Sequence, residues 1–146
     1  MSFYMYLSSK DSEKLFEHNQ FHDFIVETDR EYDFSGCGEW SVALVDFYLE
    51  GYKTGRAEKL VKSIIILCDL GTDSYILGRS APVLRYIPAT EEVGTSLFQP
   101  HYIGVSKART NRIRIYLRDK SFNDLTTIDW PEDLVFRCTL HFVKHE

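Results

Sequence analysis

Apolar residues recur at every second position through most of this chain, the spacing that sends alternate side chains to opposite faces of a strand. Phe3 to Ser8 is a short apolar-aromatic run and predicts a first strand. Ser9 to Gln20 is polar and breaks the pattern, and Phe21 to Thr28 resumes it. A turn-rich stretch follows, Asp33-Phe-Ser-Gly-Cys-Gly, where Gly36 and Gly38 suit positive φ. Trp40 to Leu49 predicts a central strand, with Trp40, Val42, Leu44 and Tyr48 on one face and Ala43, Val45, Phe47 and Leu49 on the other. A strand apolar on both faces calls for burial on both sides, or for a neighbour over its outer face.

Val61 to Leu70 contains the β-branched run Ile64-Ile-Ile-Leu-Cys, which predicts a strand. Val83 to Ile87 lies between Pro82 and Pro88, so its strand should begin and end there. Leu97 to Val105 is the next candidate. Arg112 to Arg118 alternates cleanly, with Ile113, Ile115 and Leu117 inward and Arg112, Arg114, Tyr116 and Arg118 outward. Leu134 to Lys144 closes the chain, with Leu134, Phe136, Cys138, Leu140 and Phe142 on one face. Gly51 to Lys59 and Gly71 to Ser80 read as loops. Two short helical pieces are expected: Asp11 to His18 after a Ser8 or Ser9 cap, and Arg56 to Val61.

Roughly eight strands at this spacing predict an all-β sandwich of antiparallel strands. A strand starting almost at residue 2 and a long final strand favour a single jelly roll, whose first and last strands are neighbours, over an immunoglobulin-like sandwich. With no linker, repeat or low-complexity tract, residues 1–146 are expected to form one domain.

Composition changes this picture in two places. Tyr and Phe far outnumber Trp, a bias that suits pleated surfaces. The formal charge of -5 is unevenly spread. Between residues 106 and 120, Lys107, Arg109, Arg112, Arg114, Arg118 and Lys120 stand against Asp119 alone, so this stretch carries +5 and the remainder -10. A basic stripe on an acidic body suits contacts between copies as well as nucleic acid. Arg109, Arg112, Arg114 and Arg118 are therefore the candidate site residues, with three readings: the wet face of a strand, a subunit interface, or a nucleic-acid contact.

Catalytic and metal-binding patterns are thin. The chain lacks a nucleophile elbow, a phosphate loop and a dinucleotide fingerprint. His18 and His22 have ligand spacing only on a helix and lack the accompanying glutamate, and His141 and His145 read as an outward polar face. Asp69, Asp73 and Ser74 fit an Asx-type turn better than a cation loop, and Glu91-Glu92 a solvated tip. Cys37, Cys68 and Cys138 are too widely spaced for a disulfide framework or a structural zinc site, and are expected to be reduced thiols. The start lacks the basic and apolar runs of a signal peptide, and no apolar stretch is long enough to cross a bilayer. Enzymatic activity, a cofactor, a membrane partner and secretion are not expected.

The order of segments resembles the minor capsid, or penton, proteins of polinton-like elements and adintovirus-like viruses. The matching stretches are Phe3-Tyr-Met-Tyr-Leu-Ser-Ser-x-x-Ser, Asn19 with Phe24 downstream, and Gly38-Glu-Trp-Ser-Val-Ala-Leu. Ile66-Leu-Cys-Asp-Leu, Gly78-x-x-x-Pro-Val-Leu-Arg, Phe98-x-Pro-His-Tyr, Ile113-Arg-Ile-Tyr-Leu-Arg-Asp and Thr139-Leu-His-Phe follow in order. The resemblance implies a single jelly roll that forms homopentamers at capsid vertices, as a virion component beside a major capsid protein. Tyr52, Tyr75, Tyr86, Tyr102 and Tyr116 would then suit contacts between subunits. The alternative function is a β-sandwich binding module that holds a carbohydrate or peptide in end loops carrying Tyr32, Phe34, Tyr52 and Tyr75.

Overall fold

The computed structural model of the chain describes residues 1–35, 39–51, 55–56 (backbone), 62–88, 99–125, 130 and 134–145. Its strands are β1 (Ser2–Ser8), β2 (Asp23–Asp33), β3 (Glu39–Gly51), β4 (Gly55–Arg56), β5 (Ile64–Cys68) and β6 (Ser74–Ile76). They continue with β7 (Arg79–Ala81), β8 (Val83–Ile87), β9 (Ile103–Gly104), β10 (Arg109–Arg118) and β11 (Leu134–His145).

Antiparallel pairing follows a nested order. The first strand lies beside the last (β1–β11), β2 beside β10, β3 beside β9, and β5 beside β8. This is a single long hairpin. Rolling it into two layers adds the lateral pairs β11–β3 and β10–β5. The result is one sheet in the order β1-β11-β3, with β4 and β9 on the far edge of β3, facing a second sheet β2-β10-β5-β8. This is the jelly roll.

The space between the sheets is filled by Phe24, Phe47, Phe136 and Phe142 with Leu44, Leu49, Ile64, Ile66 and Ile115, all fully buried. Phe136 alone contacts the rings of Phe24 and Phe47 at centroid distances of 6.1 and 6.2 Å. At one end Phe3, Phe34, Trp40 and Phe142 form an aromatic cluster, with Phe3 stacked on Phe142 at 4.8 Å. Cys68 and Cys138 are free thiols in this core, and burial pushes the Cys68 pKa up to about 12.

The unbroken apolar run of β5 has a structural cause. Ile64, Ile66 and Cys68 face the main core, while Ile65 and Leu67 point the other way into a second small core with Ala81 and Val83. The β6–β7 hairpin lies over that outer face, with Ile76 packed against the cluster. Residues read as a loop from Gly71 to Ser80 therefore contain a strand pair.

Three expectations need correction. β3 does not keep one alternation throughout: its pairing with β11 shifts between Thr139 and Leu140, where Val45 is the extra residue of a β-bulge. The bulge re-phases the strand, so Phe47 and Leu49 join Trp40, Val42 and Leu44 in the core while Tyr48 turns outward. Second, Asp11 to His18 is a succession of turns and not a helix. Phe16 N–H reaches Ser12 C=O at 2.9 Å, but the Ser12 hydroxyl accepts from Glu27 N–H and the Asn19 side chain bonds both the N–H and C=O of Ile25. These side chains tie the segment to the open edge of β2, and Ser9 continues the β1 ladder to Phe136 where a cap was expected. Third, Arg56 lies in β4, while 57–61 of that helical piece are outside the described residues. No helix occurs among the described residues, and so none long and apolar enough to cross a membrane.

Candidate subunit interface

Arg112, Arg114 and Arg118 share the outer face of β10, as their alternation predicts; Arg109 joins them because the pairing shifts between Thr110 and Arg112, and each of the four meets a carboxylate of this chain. Arg114 forms a two-pronged bond with Asp23, at 2.9 and 2.7 Å. Arg112 pairs with Glu27 at 3.2 Å, Arg109 with Asp33 at 3.6 Å, and Arg118 with Asp124 at 3.0 Å. Lys107 adds a pair with Asp69 at 2.8 Å. The cause is register: β10 lies antiparallel to the acidic β2, which sets Arg112 opposite Glu27 and Arg109 opposite Asp33. Tyr116 lies against the guanidinium groups of both Arg114 and Arg118, 4.3 and 4.8 Å from its ring centre. The bond to Asp23 holds the Arg114 pKa above its ordinary value, with burial acting against it. The Ser35 hydroxyl and N–H hold Asp33 below the usual carboxylate range, helped by Arg109. The stripe is thus charge-matched inside the subunit.

The outer face of the other sheet is different. Phe3, Met5 and Leu7 turn inward or sideways, leaving Tyr4 and Tyr6 facing out at 55% and 75% exposure. Tyr4 stacks on His141 at 4.4 Å, and Tyr102, from the segment before β9, shares a 2.8 Å hydrogen bond with Nδ1 of the same histidine. His145 bonds the Ser41 hydroxyl at 2.8 Å. His141 and His145 thus belong to a polar-aromatic sheet face, as expected.

Beside this row lies an open groove of about 630 Å³, lined by Tyr6, Ser8, Asp46, Tyr48, Arg137 and Thr139 among others. The Val45 bulge builds it, because the residue after the bulge, Asp46, falls opposite Thr139 and faces outward. Asp46 Oδ1 is buried and has no hydrogen-bond partner among the described residues. Buried acceptors are normally satisfied, so this oxygen marks a place suited to an incoming donor.

The β6–β7 hairpin carries another exposed apolar feature. Ile76 pairs with Arg79, leaving a two-residue loop of Leu77 and Gly78 with φ of 48° and 84°. Such a turn favours Asn or Gly at its first position; leucine there is strained. Leu77 is 53% exposed and Tyr75, on the outward face of β6, is 80% exposed.

The remaining sequence candidates separate. His18 is exposed beside Glu17, while His22 is partly buried with Nδ1 unpartnered among the described residues. The Asp69 carboxylate is held by Lys107 and by the Arg114 N–H. No group of three or more metal-ligating side chains occurs among the described residues. Tyr86 and Tyr116 border the second core, Tyr75 and Tyr102 are exposed, and Tyr52, Cys37 and Glu91-Glu92 lie outside the described residues. Tyr32 lies in β2 and Phe34 is buried against Phe3 and Phe142, so neither is an exposed loop aromatic as the binding-module reading requires. Sequence reading passed over Tyr4 and Tyr6, although the alternation of Phe3, Met5 and Leu7 leaves them outward. It also passed over the hairpin, whose leucine is not a turn-forming residue.

No family model matches the chain, and no curated protein matches it. Among solved structures, the crystal structure of the selenomethionine-labelled mavirus penton protein is similar. The TM-score is 0.65 at 7% sequence identity, over 99% of this chain and 100% of that one. At that identity the likeness is one of fold, a penton-like jelly roll.

Proposed function

We propose that this chain is a structural capsid protein of the vertex type, a virion component that assembles with copies of itself into a pentamer and works without catalysis. The observation that carries this reading is the end-to-end match of fold with a viral penton protein, which leaves almost nothing of either chain unaligned. The surface chemistry is consistent with it. Exposed tyrosines and one arginine, the residue types that dominate contacts between proteins, collect on one sheet face around Tyr4, Tyr6 and Arg137. Rings of this kind need two different surfaces per subunit, one for each neighbour. A major capsid protein is the further partner that such a vertex requires. Nucleic acid is a weaker partner, because the arginines best suited to phosphate are already paired with Asp23, Glu27, Asp33 and Asp124.

Light scattering on the purified chain over a concentration and salt series tests the reading. The expected mass is about five times 17.1 kDa, and with the stripe matched inside the subunit, salt should loosen the assembly little. A mass of 17.1 kDa at every concentration would remove the assembly reading.

A further inference from the structure

We infer that the β6–β7 hairpin of one copy docks in the Asp46 groove of the next, with Leu77 and Tyr75 as the inserted side chains; this rests on the assembly reading above. Three features of the subunit are otherwise without use. Leu77 occupies a left-handed position that Asn or Gly would fill with less strain, and it holds an apolar side chain in water. Tyr75, one residue from Ile76 on the opposite face, presents a phenol O–H away from the subunit. Asp46 Oδ1, at the groove, is a buried acceptor without a partner among the described residues. Seating the hairpin removes all three: Leu77 leaves water, and the Tyr75 hydroxyl supplies a donor to the unpartnered Asp46 Oδ1.

Placement, charge and size agree. The hairpin covers the outer face of the β2-β10-β5-β8 sheet, and the groove opens on the outer face of the β1-β11-β3 sheet. The two are different patches on opposite layers of the sandwich, so their contact is head-to-tail, the type that makes a ring when its rotation closes and a filament when it does not. The groove has three carboxylates, Asp11, Asp46 and Glu50, against two cations, Lys10 and Arg137, while Ser74 to Ala81 carries the single charge of Arg79. A volume of about 630 Å³ is within the range of pockets that enclose compact groups, about 300–1,000 Å³.

The test compares wild type with Leu77→Asn, Asp46→Arg and, at the exposed rim, Tyr6→Ala, by sedimentation mass and thermal melting. Leu77→Asn is the informative change, because Asn suits the turn. Its monomer should melt at a higher temperature than the wild-type monomer, while association weakens at least tenfold. Asp46→Arg should prevent assembly, and Tyr6→Ala, a mild surface change, should weaken it without loss of folding. Mixed at a concentration where each alone is monomeric, Leu77→Asn and Asp46→Arg chains should form a one-to-one dimer, since one intact hairpin and one intact groove remain and no ring can close. If wild type is oligomeric and Leu77→Asn and Tyr6→Ala assemble equally well, the docking inference is wrong and the assembly reading stands. If wild type is monomeric throughout, both fall.

Discussion

Two arginines on the same face of β10 show how differently similar ion pairs contribute. Arg114 grips both oxygens of a half-buried Asp23, whereas Arg109 meets Asp33 at 3.6 Å with its side chain 64% exposed. Replacing Arg114 by alanine should cost about 1 kcal/mol of stability, a charge-assisted bond discounted for exposure. Arg109→Ala should cost less than about 0.5 kcal/mol. Urea unfolding of both variants checks the order, and equal losses would show that geometry does not decide it. At His22, desolvation pulls the pKa below the ordinary histidine value of about 6.5, with Asp124 and Asp23 opposing and Arg118 adding to it. The unfolded chain therefore binds a proton more readily than the fold does. Stability should be unaffected by this group above about pH 6.5 and should fall as the pH drops below it. His22→Gln should flatten that part of a melting-temperature profile; a profile that keeps its slope would assign the acid sensitivity elsewhere.

Among the strands, the Val45 bulge governs most. It lets one strand supply Trp40, Val42 and Leu44 before it and Phe47 and Leu49 after it to the same core, and it delivers Asp46 to the groove. Deleting Val45 should restore an unbroken period of two and expel one of these sets from the core. Withdrawing even one buried phenylalanine and leaving its space empty costs about 3–5 kcal/mol, and here several core side chains go together, so the variant should show no cooperative thermal transition in calorimetry. Val45→Ala, which keeps the residue count, should still melt cooperatively. The alternation of β11, and of β10 from Arg112 to Arg118, was legible because each buries one face there without interruption. β3 was legible as a strand but not in its facing, since a bulge leaves no mark in an apolar run. The turns at Asp11 to His18 were misread because what opposes the helix is distant in sequence: the edge of β2, reached by Ser12 and Asn19. Of the site, Arg112, Arg114 and Arg118 were legible as outward, but the partners Asp23, Glu27 and Asp33 depend on a β2–β10 register that no local pattern encodes.

Taken whole, the subunit is a rolled hairpin with its first strand seated beside its last, Ser2 opposite Val143 and Met1 C=O bonded to Lys144 N–H at 2.9 Å. That arrangement sets a timetable for biosynthesis. β1 is made well before its neighbour β11, so its ladder stays incomplete until β11 has emerged. At about 5–20 residues per second, the interval from β1 to β11 lasts on the order of ten seconds. Throughout it, an uncharged strand bearing Tyr4 and Tyr6 has both hydrogen-bonding edges open, the condition in which strands pair with the wrong chain. Contacts so remote in sequence also place the fold among slow folders, in the millisecond-to-second range. On a polysome making many copies side by side, the hazard is greatest for the very strand that carries the exposed tyrosines, and a chaperone that shields β1 on the nascent chain would act where this topology is most vulnerable.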